Sequence, residues 1–265
     1  MNEFQNYDDL ENYFSDTFVK LGVKDYDFCY IYSDLRFFAS SMKIDIEKDR
    51  FCNSIISPLL NLKKTIIIPT FSYTTEGVFD VEKTPTSLGT LNSWILRQSN
   101  VKRSNHPLFS FGALGPKSSL VENCGKSAFG KNSVHDNLRE NKCCFINIGR
   151  AIEKGNTIIH NIEQSCEAKY RFNKVFKTSV LKKNKLFDSD YSAFVRRQDV
   201  PDHDFKFNFI EAAKIIYSEG IVHEVGDSEL LSNISLYDYD KTRAILVKAF
   251  IKNSSIFLSK PFTQF

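Results

Sequence analysis

Three short apolar runs constrain this chain more than anything else in it: Phe28 to Ile31, Ile66 to Ile68, and Cys143 to Ile148. Runs of this length read as buried strands when breakers follow them. Here the breakers are the turn Ser33-Asp34-Leu35, Pro69 and Gly149. Helical patterns separate the runs. Tyr7, Leu10, Tyr13, Phe14, Phe18 and Leu21 recur at helical spacing over residues 6–21, which predicts an amphipathic helix. A second helix is expected after Leu35. A third is expected from Asp45 to Leu62, with Pro58 as a kink or a start.

The middle strand is read as Lys64 to Thr70, followed by a long loop over 71–90 rich in Thr, Ser, Gly and Pro. Leu91 to Gln98 reads as a short helix, and Leu108 to Leu114 as an apolar stretch. A helix over 156–170 is signalled by Asn156-Thr157. Antiparallel strands are expected over 174–200, and helices from Phe205 to Ser218 and from Ser235 to Lys252. Strands alternate with helices in the first two thirds and strand pairs come after. That order predicts an α/β protein, a mixed β-sheet flanked by helices, as one domain over 1–265.

Composition excludes several classes. The net charge of +3, from 35 basic and 32 acidic residues, is too mild for a nucleic-acid partner. It also lacks the acidic surplus expected of a protein that holds a polycation. No run reaches membrane-span length, so no membrane partner is expected. The acidic start, with Asp8, Asp9, Glu11, Asp16, Asp25 and Asp27, is unlike a secretory signal. The six cysteines form no CxxC pair and no zinc-spaced cluster with histidine, so reduced thiols, a cytoplasmic location and no metal are expected.

Five histidines are present, and position distinguishes them. His160 falls in the first turn of a helix that follows the strand ending at Gly149, the edge where open α/β sheets bind ligands. His160 and Glu163 are three apart and share a helical face. An imidazole beside a carboxylate can serve as a general base, although an ordinary helix surface would look the same. The loop Arg103-Ser104-Asn105-His106-Pro107 can hold a phosphate or polarise a carbonyl, or it can be a solvated basic loop. Ser33 follows a strand and opens a helix, which suits either a phosphate or a simple cap. Walker, GxGxxG, GxSxG and HExxH patterns are all absent.

Four segments, in order, resemble the aminoglycoside 3-N-acetyltransferase family. They are Ile66-Ile67-Ile68-Pro69-Thr70-Phe71-Ser72-Tyr73; Thr84-Pro85-Thr86-Ser87-Leu88-Gly89-Thr90; Arg103-Ser104-Asn105-His106-Pro107-Leu108-Phe109-Ser110; and Asn156-Thr157-Ile158-Ile159-His160-Asn161-Ile162-Glu163. The last two carry the family's Arg-Ser-x-His-Pro-x-x-Ser and Asn-Thr-x-x-His-x-x-Glu signatures. The likeness covers roughly residues 28–170, with a weaker echo over Gly220 to Leu231.

This resemblance implies an antibiotic N-acetyltransferase-like fold, distinct from the common GNAT acetyltransferase fold. It also implies direct acyl transfer from acyl-CoA, the co-substrate, to an amine, with His160 as base. It implies cofactor contacts at Ser33, Arg103, Ser104, His106 and Ser110, and substrate contacts at Thr70, Tyr73, Asn156, Thr157 and Glu163. Family members often have His-Ser-Ser-Leu where this chain has Tyr32-Ser33-Asp34-Leu35, which sets an anion near the expected phosphates. The carboxylate that orients the histidine is expected at Asp199, with Asp202, Asp204 and Glu211 as alternatives.

Two acceptors compete. The absent acidic surplus, with Lys182, Lys183, Lys185, Arg196 and Arg197, favours an anionic nucleotide-linked amino sugar of the kind used for surface polysaccharide. The alternative is an aminoglycoside, and hence antibiotic resistance. A non-catalytic binding module and a thioester hydrolase are the readings from other classes. The intact His160 signature speaks against the first, and the missing nucleophile elbow against the second.

Overall fold

The computed structural model describes residues 3–198, 206–227 and 232–262. The strands are β1 (Phe28–Ser33), β2 (Thr65–Pro69), β3 (Val78–Asp80), β4 (Lys102–Arg103), β5 (Phe111–Leu114), β6 (Cys143–Ile148), β7 (Arg171–Lys182), β8 (Lys185–Arg196), β9 (Val222–Val225) and β10 (Ile234–Asp238). The helices are α1 (Tyr7–Lys20), α2 (Arg36–Ser40), α3 (Lys48–Asn61), α4 (Thr90–Leu96), α5 (Val134–Leu138), α6 (Ile158–Ser165), α7 (Ile210–Ser218) and α8 (Tyr239–Lys252).

Seven strands form a mixed sheet in the order β4-β5-β2-β1-β6-β10-β9. The three apolar runs lie side by side at its centre, with β1 parallel to both β2 and β6. Both faces of this centre are covered, so the runs are apolar without alternation. Cys29, Ile31, Ile66, Ile68, Cys144 and Ile146 share one buried cluster with Leu10 and Phe14 of α1 and Ile55 of α3. Tyr30, Ile67, Phe145 and Tyr237 share the opposite cluster with Ile159 of α6 and Leu246 of α8. A second sheet, β3-β7-β8, is built on the twelve-residue hairpin β7–β8. This is the α/β architecture with a mixed sheet that the sequence implies.

Two expectations need correction. Ser235 to Lys252 is not a continuous helix but strand β10 followed by α8. Ile234 and Leu236 face one cluster while Tyr237 faces the other, and the segment pairs antiparallel with β6. The Asp238 carboxylate then accepts from the Lys241 amide at 2.8 Å and starts the helix. Likewise, the long 71–90 loop contains β3, which gains its ladder only by pairing with the distant β7. Among the described residues, no helix is long and apolar enough to cross a membrane.

Candidate active site

The carboxyl ends of the parallel strands β1 and β6 open on one edge of the sheet, where helix α6 begins. Thr157 ties that helix to the sheet. Its hydroxyl lies 2.6 Å from the Tyr30 hydroxyl, 2.8 Å from that of Tyr32 and 2.8 Å from Nε2 of His135. The Tyr239 hydroxyl donates to the His135 carbonyl oxygen at 2.9 Å and lies 2.8 Å from Nδ1 of the same residue. Only one proton arrangement satisfies all these contacts with a neutral imidazole. His135 Nδ1–H donates to Tyr239, Thr157 donates to Nε2, and both tyrosines donate to Thr157. Complete burial holds the His135 pKa down at about 3, which keeps the ring neutral.

One turn further on, His160 lies on the open side of α6. Its Nδ1 is 2.9 Å from Oε2 of Glu163, and its side chain is 27% exposed while that of Glu163 is 1% exposed. A carboxylate can only accept, so Nδ1 carries the proton and Nε2 presents its lone pair. The Tyr170 hydroxyl donates to Oε1 of Glu163 at 2.9 Å. Nε of Arg171 forms an ion pair with Oε2 at 2.7 Å, although its N–H is not aligned for a hydrogen bond. Burial acts to raise the Glu163 pKa, but His160 and Arg171 outweigh it and hold the carboxylate below its ordinary value. Helix α6 ends at Ser165 and Glu167 adopts a left-handed φ of 53°, a reversal that carries Tyr170 and Arg171 back onto Glu163. The carboxylate that meets His160 is therefore Glu163, three residues away. The expected partner Asp199 lies outside the described residues, as do Asp202 and Asp204.

At the ends of β1 and β6 lies a cleft of about 770 Å³. Ser33, Asp34, Gly89, Thr90, Gly149 and Ala151 line it, with four cations from Arg36, Lys48, Arg150 and Lys154. The anion introduced at Asp34 is neutralised locally, since Nε of Arg36 donates to it at 2.8 Å and holds its pKa below the usual carboxylate range. Arg150 donates to the carbonyl oxygens of Gly155 and Lys154 and lies 5.3 Å over the Tyr32 ring. The cleft is thus net positive and suits a polyphosphate.

The Arg103–Ser110 signature sits differently from the expectation. Arg103, Ser104, His106 and Ser110 are all buried. The Arg103 guanidinium donates to the carbonyl oxygens of Thr70 and Thr84 and to Oγ of Ser110. Ser104 Oγ accepts from the Phe111 amide, and Ser110 Oγ donates to Thr70 O. His106 Nδ1 accepts from the Leu108 and Phe109 amides, so its Nε2–H donates to Ser192 O at 3.1 Å. Burial lowers its pKa to about 4. These side chains are spent on backbone groups, leaving Ser33 as the expected cofactor residue that lines the cleft. Thr70 and Asn156 are similarly turned inward, the latter donating to the Tyr237 hydroxyl at 3.2 Å. Tyr73 alone of the expected substrate residues stands well exposed, at 51%. Arg150 and Lys154 were not singled out from sequence, and Gly149 ending a strand before them was the available signal.

The basic cluster Lys182, Lys183 and Lys185 lies at the tip of the β7–β8 hairpin. Arg171, which meets Glu163, lies at its base, eleven residues and roughly 35 Å of strand away. Lys182 also pairs with Glu122 at 3.4 Å. Of the basic residues that favoured an anionic acceptor, the lysines are therefore remote from the imidazole. Arg196, by contrast, pairs in register with Arg171, and the Arg197 amide donates to Tyr170 O at 2.9 Å, which places both arginines at the hairpin base near Glu163.

The fold is that of aminoglycoside acetyltransferases of known structure. The profile of the aminoglycoside 3-N-acetyltransferase family matches residues 61–232. The chain belongs to that family and is an N-acyltransferase. No curated protein matches it in sequence. Among solved structures, the aminoglycoside acetyltransferase AAC(3)-IVa, in a mutant form complexed with a gentamicin, is 19% identical with a TM-score of 0.74, covering 98% of this chain and 93% of that one. AAC-IIIb, in binary complex with CoASH, is 14% identical with a TM-score of 0.74, covering 95% and 98%. The YokD protein from Bacillus subtilis is 16% identical with a TM-score of 0.70, covering 92% and 99%. At these identities the likeness is one of fold.

Proposed function

We propose that this protein transfers an acyl group from acyl-CoA to an amine of an aminoglycoside, with His160 as general base. The observation that carries the reading is the His160–Glu163 pair, and a net-positive cleft at the carboxyl ends of β1 and β6 supports it. An ammonium has no lone pair, so the acceptor reacts as its neutral amine, after one proton has gone to solvent, and Nε2 of His160 removes the second proton as that nitrogen attacks the thioester carbonyl. The tetrahedral oxyanion collapses, the C–S bond breaks, and the proton on the imidazolium passes to the departing thiolate. No covalent enzyme intermediate is required. The cleft cations would hold the diphosphate and the 3′-phosphate of CoA, leaving the thioester to reach toward α6. AAC-IIIb with CoASH and AAC(3)-IVa with a gentamicin, relatives in fold, support this pairing of ligands.

The aminoglycoside displaces the nucleotide-linked amino sugar as the first reading because the family and a fold relative complexed with a gentamicin favour it, and three of the basic residues behind the latter stand at the hairpin tip. Arg196 and Arg197, at the hairpin base, keep the nucleotide sugar as the alternative. The test is acyl transfer with acetyl-CoA to gentamicin-type and kanamycin-type drugs beside uridine- and thymidine-linked amino sugars. Efficient acylation of a drug supports the reading. Acylation of the nucleotide sugars alone overturns it.

A further inference from the structure

Tyr73 is the one aromatic residue among the described residues with a left-handed backbone, at φ 52°. The others with positive φ, apart from glycine, are Lys, Asn and Glu. A bulky side chain in this region is an outlier, because its Cβ crowds the neighbouring carbonyl oxygen. Such strain persists only where the surroundings impose it, and it collects at functional sites.

The surroundings here are the His106 loop. The Tyr73 amide donates to Leu108 O at 3.2 Å, the Thr74 amide to Pro107 O at 3.2 Å, and Ser72 Oγ to Pro107 O at 2.6 Å. His106 in turn fixes that loop through the Leu108 and Phe109 amides. The buried signature that carries no exposed cofactor contact thus has a task, which is to clamp Tyr73. Two rings brace the Tyr73 ring nearly at right angles, Phe71 at 6.0 Å and Phe109 at 5.7 Å between centroids. From Phe109 the contacts continue to Phe129 at 5.1 Å and from Phe129 to His160 at 4.9 Å. Half of Tyr73 stays open at the outer end of a series of rings that finishes on the base.

This placement answers a difficulty raised by composition. A polycationic acceptor is expected to meet an acidic surplus, and the chain has none. The face of an aromatic ring attracts a cation without any carboxylate. We propose that Tyr73 is a specificity-determining platform whose ring face takes a second ammonium of the acceptor while the reacting amine sits at His160. The inference rests on the aminoglycoside reading, in which one acceptor carries the reacting amine and further ammonium groups. The clamp holds the ring in place before binding, so little ordering remains to be done when the acceptor arrives.

The experiment compares wild type with Tyr73→Ala, Tyr73→Phe and Tyr73→Gly. It measures acceptor binding by calorimetry in the presence of CoA, steady-state kinetics with gentamicin and glucosamine, and melting temperature. Tyr73→Ala should raise the Kd and KM for gentamicin roughly 3- to 30-fold, with the KM for acyl-CoA unmoved and a much smaller change for glucosamine, which has one amine. Tyr73→Phe, which keeps a ring, should restore most of the loss. Tyr73→Gly should weaken gentamicin as Ala does while melting at or above the wild-type temperature, because glycine relieves the strain. A merely structural tyrosine would instead lose stability and affinity together.

A gentamicin Kd within twofold of wild type in Tyr73→Ala overturns the platform, as does a wild-type protein that does not bind gentamicin. Binding without acyl transfer would overturn the functional reading instead, and the Tyr73→Ala titration would still decide the platform.

Discussion

Nδ1 of His160 and Oε2 of Glu163 lie 2.9 Å apart across one turn of α6, the imidazole at the surface and the carboxylate buried. This fixes which nitrogen holds the proton and leaves Nε2 as the base. Glu163→Gln offers an amide N–H to Nδ1 and so favours the tautomer protonated at Nε2. His160→Asn removes the base itself. Both variants should lose roughly 10² to 10⁴ in kcat, the usual contribution of a positioned base. The double variant should be little worse than either, because the two residues act as a unit. Steady-state kinetics on purified variants reads this directly, and additive losses would show that Glu163 acts apart from His160.

The cleft predicts a separation of cofactor from acceptor effects. Arg150 has no carboxylate within ion-pair distance among the described residues, and burial lowers its pKa. Arg150→Ala should raise the KM for acyl-CoA roughly 10- to 100-fold, the worth of one charge-assisted hydrogen bond, with far less effect on the acceptor's KM. Added salt should weaken acyl-CoA more in wild type than in the variant.

The centre of the fold was legible in sequence because its signals are local. The runs of β1, β2 and β6 and the spacing of His160 and Glu163 need no knowledge of distant partners. What was missed depends on pairing. β3 becomes a strand only against β7, and β10 only against β6. The Arg103–Ser110 segment looked like a ligand loop because its residue types are those that bind phosphate. Its donors instead meet carbonyls such as Thr70 O and Ser192 O, which local sequence does not bring near. For Glu163 the helical spacing put the carboxylate beside His160, but the turn at Glu167 that brings Tyr170 and Arg171 onto it was hidden.

Stability should fall in mild acid, above the carboxylate range. His106 and His135 are neutral in the fold, with pKa values lowered by burial to about 4 and about 3 from an ordinary 6.5. The unfolded chain binds protons first as pH drops, so their contribution is complete above pH 6.5. It is lost as pH falls from 6.5 toward 4 for His106 and toward 3 for His135, at a cost of about 3 kcal/mol for the first and about 5 kcal/mol for the second. Urea midpoints at pH 7.0 and 5.0 should therefore differ clearly. Equal midpoints would contradict the buried neutral imidazoles.

Thr157→Val keeps the shape of the hub but removes its hydroxyl. Nε2 of His135 loses its donor, and the Tyr30 and Tyr32 hydroxyls lose their acceptor. The cost should be about 3 kcal/mol, seen as a lower urea midpoint with an unchanged slope.

The central claim is amine-dependent acyl transfer with His160 as the base. The most direct measurement follows thiol release from acetyl-CoA together with the mass of a gentamicin-type acceptor, in wild type and in His160→Asn. One thiol should be released per acetyl group gained by the drug, with no release in the absence of an amine and a loss of at least about 100-fold in the variant. Thiol release that proceeds equally without acceptor, or that survives intact in His160→Asn, would contradict it.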